Sequence, residues 1–311
     1  MTAGDRRAAR AVPPSRPRRP YRRWTRDRVE RTALRLLRPL VIAALLLATA
    51  FPFYYMVVLS LRDVQALILD PGALFVPPDE ITLDTYRQVL TPEEEGGQGF
   101  VGFIRNSVIV SVAAVALTLL ISIPGAYAVA RLRFLGRRQV HFLFLAVYLF
   151  PPIVLAIPLF VLFSLLGLRG SLPGLALVYI SQTLPVTVYM LRNYFETVPR
   201  SVEEAAAIDG CGPLATIWRV TLPLSRPALM ATGLYVFMIA WNEFLFALLF
   251  LVEDRDRWTV SLGLSQLAGA IEVPTTVLMA GSVVLTLPIV IVFFACERLM
   301  TGGLTMGAEK G

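Results

Sequence analysis

The sequence predicts an all-α, polytopic membrane protein. Of its 311 residues, 56% are hydrophobic and 16% are charged, with a mean hydropathy of +0.66, whereas a soluble domain is about 45–50% apolar and about 25% charged. Six apolar runs are long enough to cross a bilayer. The net charge of +7 is concentrated in the first 38 residues, which carry 13 of the 29 basic residues against three acids. These observations exclude a soluble enzyme, a disulfide scaffold and a disordered chain.

Each apolar run is expected to be a helix, because the runs lack the two-residue alternation of barrel strands and are too long for them. The predicted transmembrane domain covers residues 39–298. Its six spans are 39–61, 103–130, 141–166, 174–195, 227–252 and 275–296. The third run carries Pro151, Pro152 and Pro158, and this clustering suggests a helix that bends around a cavity or moves.

The basic residues predict the orientation of the chain. With the amino terminus inside, 23 of the 29 basic residues fall in cytoplasmic segments, as the positive-inside rule requires. Segment 62–102 carries eight carboxylates against two arginines and fits the outer face. Both tails, 1–38 and 299–311, are therefore expected in the cytoplasm. Residues 1–38 are expected to be a disordered tail that attracts anionic lipid; no nucleic-acid-binding fold follows them, so nucleic acid is not an expected partner.

The longest cytoplasmic loop, residues 196–226, has a helical pattern. Ser201 is expected to cap the helix, with Glu204 three residues later completing a capping box. Gly210 is expected to end the helix, and a second short amphipathic stretch follows at 214–220. From the residues alone two interpretations stay open. The loop is either a small-residue knob that docks on a partner protein or an interfacial hairpin at the membrane surface.

The spacing within this loop resembles a known motif. Glu204-Ala205-Ala206 is followed after three residues by Gly210 and, nine residues later, by Val220-Thr221-Leu222-Pro223. This is similar to the EAA loop of ABC-importer permeases (EAA-x3-G-x9-I-x-LP), with Val220 in place of the usual isoleucine. Four further stretches resemble the maltose-type carbohydrate permeases: 106–107, 126–131, 241–244 and 303–311. The last one departs from the pattern at Glu309, where an apolar residue is usual.

The resemblance implies a type I ABC-importer permease fold in a bacterial-type inner membrane. It implies import of a sugar or oligosaccharide, and three kinds of partner: a second homologous permease subunit, two copies of an ABC ATPase and an extracytoplasmic solute-binding protein. ATP and magnesium would be held by the ATPases, and this chain would bind no cofactor and no metal. The residues expected to couple to the ATPase are Glu203, Glu204, Ala205, Ala206, Asp209, Gly210, Leu222 and Pro223. Those expected to reach it from the carboxyl-terminal tail are Gly303, Leu304, Thr305, Gly307 and Lys310.

The chain does not have the sequence features of an enzyme. It contains no G-x-x-x-x-G-K-[ST] phosphate loop, a single histidine and no paired carboxylates within a span, so ATP hydrolysis is expected on another polypeptide. The alternative function is an ion- or proton-coupled secondary transporter. That class would need several ionisable residues in the membrane and inverted repeats. One mid-span carboxylate and no evident repeat favour the ATP-driven importer.

The fifth span contains three of the four candidate translocation residues, and the fourth span contains Tyr189. Glu243 is the one acid in the middle of a span, and such a carboxylate marks a candidate functional site, although helix packing is the favoured role for it. Aromatic side chains nearby could stack on a sugar ring. The candidate path residues are Trp241, Asn242, Glu243 and Tyr189.

Overall fold

The computed structural model describes residues 24–270 and 273–301. All regular secondary structure within these two ranges is helical, so the prediction of an all-α fold is confirmed. The chain divides into two units, residues 1–54 and 55–311. The first helix, α1 (Trp24–Ser60), begins in the first unit and ends in the second.

Helix α1 is longer than the sequence predicts. It has 37 residues, which corresponds to about 55 Å at 1.5 Å per residue. The disorder expected over residues 1–38 is therefore wrong for 24–38, which are helical, whereas 1–23 lie outside the described residues. Residues 24–38 contain no glycine or proline and several leucines and arginines, which favour helix. Hydropathy locates only the point at which this helix becomes apolar.

The segment after α1 is held by hydrogen bonds to its own backbone. It contains two short helices, α2 (Val64–Leu69) and α3 (Asp84–Leu90), and a 3₁₀ turn at Glu93–Glu95. The buried guanidinium of Arg62 donates to the carbonyls of Ala66 and Asp70, which closes the loop around α2. The hydroxyl of Thr85 donates to the carbonyl of Ser60 and so attaches α3 to the end of α1.

Two long helices form the centre of the second unit. They are α4 (Phe100–Arg131) and α7 (Leu172–Thr197). They share buried apolar clusters: Val110 and Val178 belong to one cluster, and Ala126 and Leu191 belong to another. Helix α11 (Arg226–Asn242) packs on both of them, and α14 (Thr275–Thr301) packs on α11. This four-helix arrangement positions the loop and the break described below.

The third apolar run is not one helix. It forms α5 (Arg137–Tyr148) and α6 (Pro152–Leu165) with a break at 149–151, where the proline cluster is expected to bend the helix, and the span over 141–166 stays a prediction. Pro151 is extended, with φ −62° and ψ 127°, because a residue that precedes a proline is disfavoured in the helical region. The Pro151-Pro152 pair also lacks two backbone donors, which ends the helical hydrogen-bond ladder.

The fifth apolar run is broken as well. Helix α11 ends at Asn242, Glu243 is extended (φ −64°, ψ 128°), and α12 (Leu245–Leu251) begins two residues later. The run 227–252 is therefore not one unbroken helix, and its bounds as a membrane span stay a prediction. After α12 the chain forms a 3₁₀ turn at Arg255–Arg257 and then α13 (Val260–Gly269), which packs on α4 and α14.

Because of these breaks, fewer than six of the helices in the described part of the chain are long enough to cross a bilayer unaided. In the described ranges the helical stretches 34–60, 100–131, 172–197 and 275–300 are sufficiently long and apolar. A fifth is obtained if stretches 213–224 and 226–242, whose axes differ by 85°, count as one bent span. The count of six spans and the side of each terminus stay predictions.

The close approach of α13 to α4 gives a stability prediction. A Cβ atom at Gly263 would lie 2.4 Å from the ring of the buried Phe103, whose centroid is 5.7 Å from that of Trp258. We expect Gly263→Ala to lower the free energy of unfolding by about 1–3 kcal/mol, as overpacking does. Gly269, in the same helix, has open space around it, so Gly269→Ala is the control. Equal thermal unfolding midpoints for the two purified variants would contradict this packing.

Candidate functional site

The loop between α7 and α11 begins with a helix that is not capped as predicted. Helix α8 (Arg200–Ile208) has Pro199 at its N-cap position, and no side chain caps it. Ser201 lies inside the helix, so the predicted capping box of Ser201 and Glu204 is wrong. Pro199 lacks an N–H and has a preset φ, and the helix can therefore start directly after it.

The end of α8 is formed as the sequence predicts. Gly210 has a φ of +86°, a left-handed conformation that glycine adopts without strain. The Cys211 N–H donates to the Ala206 carbonyl at 2.9 Å, and the Gly210 N–H donates to the Ala207 carbonyl at 3.1 Å. This pair of bonds is a Schellman motif, and it turns the chain sharply after the small-residue helix.

The second half of the loop packs against the membrane helices. It consists of α9 (Pro213–Thr216), a π-helical turn at Ile217–Thr221 and α10 (Leu222–Leu224). Ile217 and Leu222 lie five residues apart, one π-helical turn, and both are buried. They belong to the same apolar cluster as Leu191 and Phe195 of α7. The inner side of the loop is thus part of the protein core.

A buried ion pair attaches α8 to α4. The Nε of Arg131 donates to Oε2 of Glu203 at 2.8 Å, and the two side chains are only 8% and 10% exposed. Arg131 Nη2 donates to the carbonyls of Phe195 and Val198 at the end of α7. The hydroxyl of Thr221 donates to the other Glu203 oxygen at 3.0 Å. One cluster therefore joins α4, α7, α8 and the π-helical turn.

The opposite side of the loop is exposed and apolar. Ile208 is 88% exposed and Trp218 is 61% exposed, and Leu214 is also exposed. Large apolar side chains that are exposed together mark an interaction surface. We call Val202, Ile208, Leu214 and Trp218 the outer face of the loop.

The structure divides the predicted coupling residues into two groups. Exposed to solvent are Glu204, Ala205, Asp209, Gly210 and Pro223, whereas Glu203, Ala206 and Leu222 point into the chain. Glu203 and Glu204 are neighbours in the sequence, yet one is buried in an ion pair and the other is exposed. The sequence reasoning missed Arg131, although it is the last residue of the quoted 126–131 stretch. It also missed the outer face. A tryptophan within a charged loop was the sequence signal that could have indicated this face.

The break in the fifth run is built around Glu243. Its carboxylate accepts the N–H groups of Phe246 at 3.0 Å and Ala247 at 3.2 Å, at the start of α12. The hydroxyl of Tyr179 on α7 donates to the same carboxylate at 2.9 Å, and the hydroxyl of Ser261 on α13 donates to the Glu243 carbonyl. A negative group at a helix start satisfies donors that have no partner within the helix.

The other candidate path residues are not gathered at one point. Trp241 is fully buried, and its indole N–H donates to the carbonyl of Leu285 on α14 at 2.9 Å. Asn242 is exposed and donates to the Met238 carbonyl. Tyr189 is exposed on α7, ten residues beyond Tyr179 and hence about 15 Å further along that helix. Asn242 and Tyr189 are exposed, Glu243 is half-buried and Trp241 is fully buried.

The Asn106-Ser107 stretch anchors the loop before α13. The Asn106 side chain donates to the carbonyls of Asp256 and Trp258 at 2.7 and 3.0 Å, and the Ser107 hydroxyl accepts the Val260 N–H. The tail positions 303–305, 307 and 310 lie outside the described residues. Among the described residues, no group of three His, Cys, Asp or Glu side chains could hold a metal ion.

Comparison with known families defines the class of protein. Residues 122–301 match the family described as binding-protein-dependent transport system inner membrane component. The chain belongs to this family, whose members are membrane-embedded permease subunits of ABC transporters. The ATPase of such a transporter is a separate subunit, and the predictions of a permease and of a non-enzymatic chain are confirmed.

Individual relatives agree with this assignment. The chain is 38% identical to the inner membrane ABC transporter permease protein YcjP of Escherichia coli K12, over 87% of this chain and 94% of that one. It is also 38% identical to the trehalose/maltose transport system permease protein MalG of Thermococcus litoralis, over 88% and 96%. The structure resembles a bacterial ABC transporter involved in import of the acidic polysaccharide alginate, with a TM-score of 0.74, 25% identity, and coverage of 88% and 97%.

The neighbouring carboxylates Glu203 and Glu204 give a matched pair of variants. We expect Glu203→Gln to destabilise the protein by about 3 kcal/mol, because it leaves the charge of Arg131 buried and unpaired. Glu204→Gln removes an exposed carboxylate and is expected to leave the stability within about 0.5 kcal/mol. Limited proteolysis of the 196–226 loop and thermal unfolding measure the difference. Indistinguishable variants would show that the ion pair does not hold the loop.

The carboxylate at the span break is expected to contribute more to stability than a surface carboxylate. Glu243→Ala leaves the N–H groups of Phe246 and Ala247 without an acceptor, at about 1–3 kcal/mol for each buried donor. Glu243→Gln keeps an acceptor oxygen and is expected to lower the free energy of unfolding by less than Glu243→Ala does. The control is Glu253→Ala, since Glu253 is exposed and pairs with Arg169 at the surface, where an ion pair contributes about 1 kcal/mol or less. Thermal unfolding should rank the three variants, and a tolerated Glu243→Ala would contradict the role assigned to the carboxylate.

Proposed function

We propose that the chain is one permease subunit of an ATP-driven, binding-protein-dependent importer of a sugar or oligosaccharide. The observation that carries the proposal is the outer face of the 196–226 loop, which is exposed and apolar while its inner side is joined to α4 and α7. The substrate class rests on the names of relatives, which refer to trehalose, maltose and alginate.

The proposed coupling step follows from the two sides of the loop. Ile208 and Trp218 of the outer face would enter an apolar groove of the ATPase, while Ala205 permits close approach of α8. Glu204 would pair with a basic residue at the rim of that groove. When two ATPases close on ATP and magnesium, α8 would move with them. The buried pair of Arg131 and Glu203 would carry this movement to α4 and α7, because removing either charge from its partner is costly.

The proposed assembly contains further subunits. A second, homologous permease would complete the translocation path, and an extracytoplasmic binding protein would deliver the solute to the outer side. In this arrangement the chain lies in the inner membrane with six spans and both termini in the cytoplasm. The carboxyl-terminal residues 303–311 would reach the ATPases as a second contact.

The candidate path residues take two roles in this proposal. Asn242 and Tyr189 would face the solute, since their side chains are exposed within apolar helices, and polar groups at membrane depth face a protein interior or a water-filled cavity. Trp241 and Glu243 would shape the path by holding the break. The alternative of a proton-coupled secondary transporter has less support, because the carboxylate of Glu243 is engaged by Tyr179 and two backbone N–H groups.

The outer face supplies the test of the coupling role. The double variant Ile208→Ser/Trp218→Ser should reduce co-purification of the ATPase and ATP-dependent uptake at least tenfold, because exposed apolar anchors carry most of the energy of an interface. Its thermal stability should stay near that of the parent protein, since both side chains are exposed. The control is Leu135→Ser, which alters a fully exposed leucine before α5.

The uptake measurement also tests the class of transporter. Proteoliposomes that contain all subunits should import labelled maltose, trehalose or alginate oligosaccharides only with ATP and the binding protein. Uptake that continues without ATP and stops when an ionophore collapses the proton gradient would instead identify a secondary transporter. Full activity of the double variant would contradict coupling through the outer face.

A further inference from the structure

Helix α1 is longer than a membrane span requires. Its apolar stretch begins at Leu34, but residues 39–60 alone are about 33 Å long at 1.5 Å per residue, which already matches the roughly 30 Å hydrocarbon core of a bilayer. Residues 24–38 continue the same helix for about 22 Å more. With Ser60 at the outer edge of the core and the helix along the membrane normal, residues 24–38 lie outside the hydrocarbon core, either projecting into water or lying along the headgroups.

Residues 24–38, which we call the extension, have two sides that differ in chemistry. Arg31, Arg35 and Arg38 are spaced by four and three residues, so they share one face of the helix, and all three are exposed. Leu36 and Leu37 lie on the opposite face and are 70% and 52% exposed. A helix that projected straight into water would leave these leucines hydrated, at a cost of roughly 25 cal/mol per Å² of apolar surface.

The junction between the extension and the span allows a change of direction. Pro39 lies inside α1 and has no N–H, so the intrahelical bond to the carbonyl of Arg35 cannot form. Prolines are the commonest sites of helix kinks. A bend at this position requires no further hydrogen bond to break.

We propose that residues 24–38 form an amphipathic helix that lies in the headgroup region of the cytoplasmic leaflet and binds anionic phospholipids. Leu36 and Leu37 face the acyl chains, and Arg31, Arg35 and Arg38 contact the lipid phosphates. The segment carries five arginines against two acids, and a basic amphipathic helix of this kind binds an anionic surface through both its apolar area and its charge. The inference rests on the proposed cytoplasmic orientation of the amino terminus.

The test uses the full transporter in vesicles with 30% or no phosphatidylglycerol in phosphatidylcholine. Single cysteines are placed by Leu36→Cys or Arg35→Cys in a Cys211→Ser/Cys296→Ser background and labelled with a membrane-impermeant thiol reagent. At 30% phosphatidylglycerol, position 36 should label at least tenfold more slowly than position 35. Adding the reagent inside or outside the vesicles also shows on which side of the membrane residues 35 and 36 lie. ATP-dependent uptake by the same vesicles tests the proposed function separately.

Matched charge variants identify what covers the apolar face. Arg31→Gln/Arg35→Gln/Arg38→Gln should speed labelling at position 36 at least tenfold, since each arginine near an anionic surface contributes about a fivefold change in binding. Arg16→Gln/Arg18→Gln/Arg19→Gln removes the same charge earlier in the sequence and should change the labelling rate at position 36 less than twofold. Equal labelling at positions 35 and 36, or equal effects of the two triple variants, would overturn the proposal. It would also be overturned if position 36 stays protected from the reagent without phosphatidylglycerol and loses this protection when the ATPase is removed.

Discussion

The contact between Arg131 and Glu203 is the interaction on which the arrangement of the loop depends. Burying two charges costs several kcal/mol for each ion, and their attraction offsets this cost only when further hydrogen bonds satisfy the remaining donors and acceptors. Here the carbonyls of Phe195 and Val198 and the hydroxyl of Thr221 do so. Few other geometries would satisfy all these groups. These contacts therefore hold the loop to the ends of α4 and α7.

Polar contacts stabilise the interrupted fifth span in a similar way. A backbone group without a hydrogen-bond partner costs several kcal/mol in lipid, so a break in a membrane helix needs acceptors for the donors that it frees. Glu243 supplies them to Phe246 and Ala247, and Tyr179 and Ser261 connect the break to two neighbouring helices. Glu203 and Glu243 thus have separate structural roles: Glu203 anchors a loop, and Glu243 holds a break.

Features that depend on neighbouring residues could be predicted from the sequence. The apolar runs located the long helices, Gly210 ended α8, and the spacing from Glu204 to Pro223 identified the family of the chain. The break at Pro151-Pro152 was also readable, because two consecutive prolines remove two donors from a helix. The local motif predicts Ser201 as the cap of α8, but Pro199, two residues earlier, occupies that position.

Features that depend on distant residues could not be predicted. Glu203 and Glu204 are alike in sequence, and only the position of Arg131, 72 residues earlier, makes one of them buried and the other exposed. The role of Glu243 depends on Tyr179, 64 residues away. Hydropathy and short-range spacing determine which segments are helical, which of them can enter a membrane and which family the chain belongs to. The fold alone decides which polar side chains meet, because the stability of a buried charge depends on partners that the folded chain brings to it.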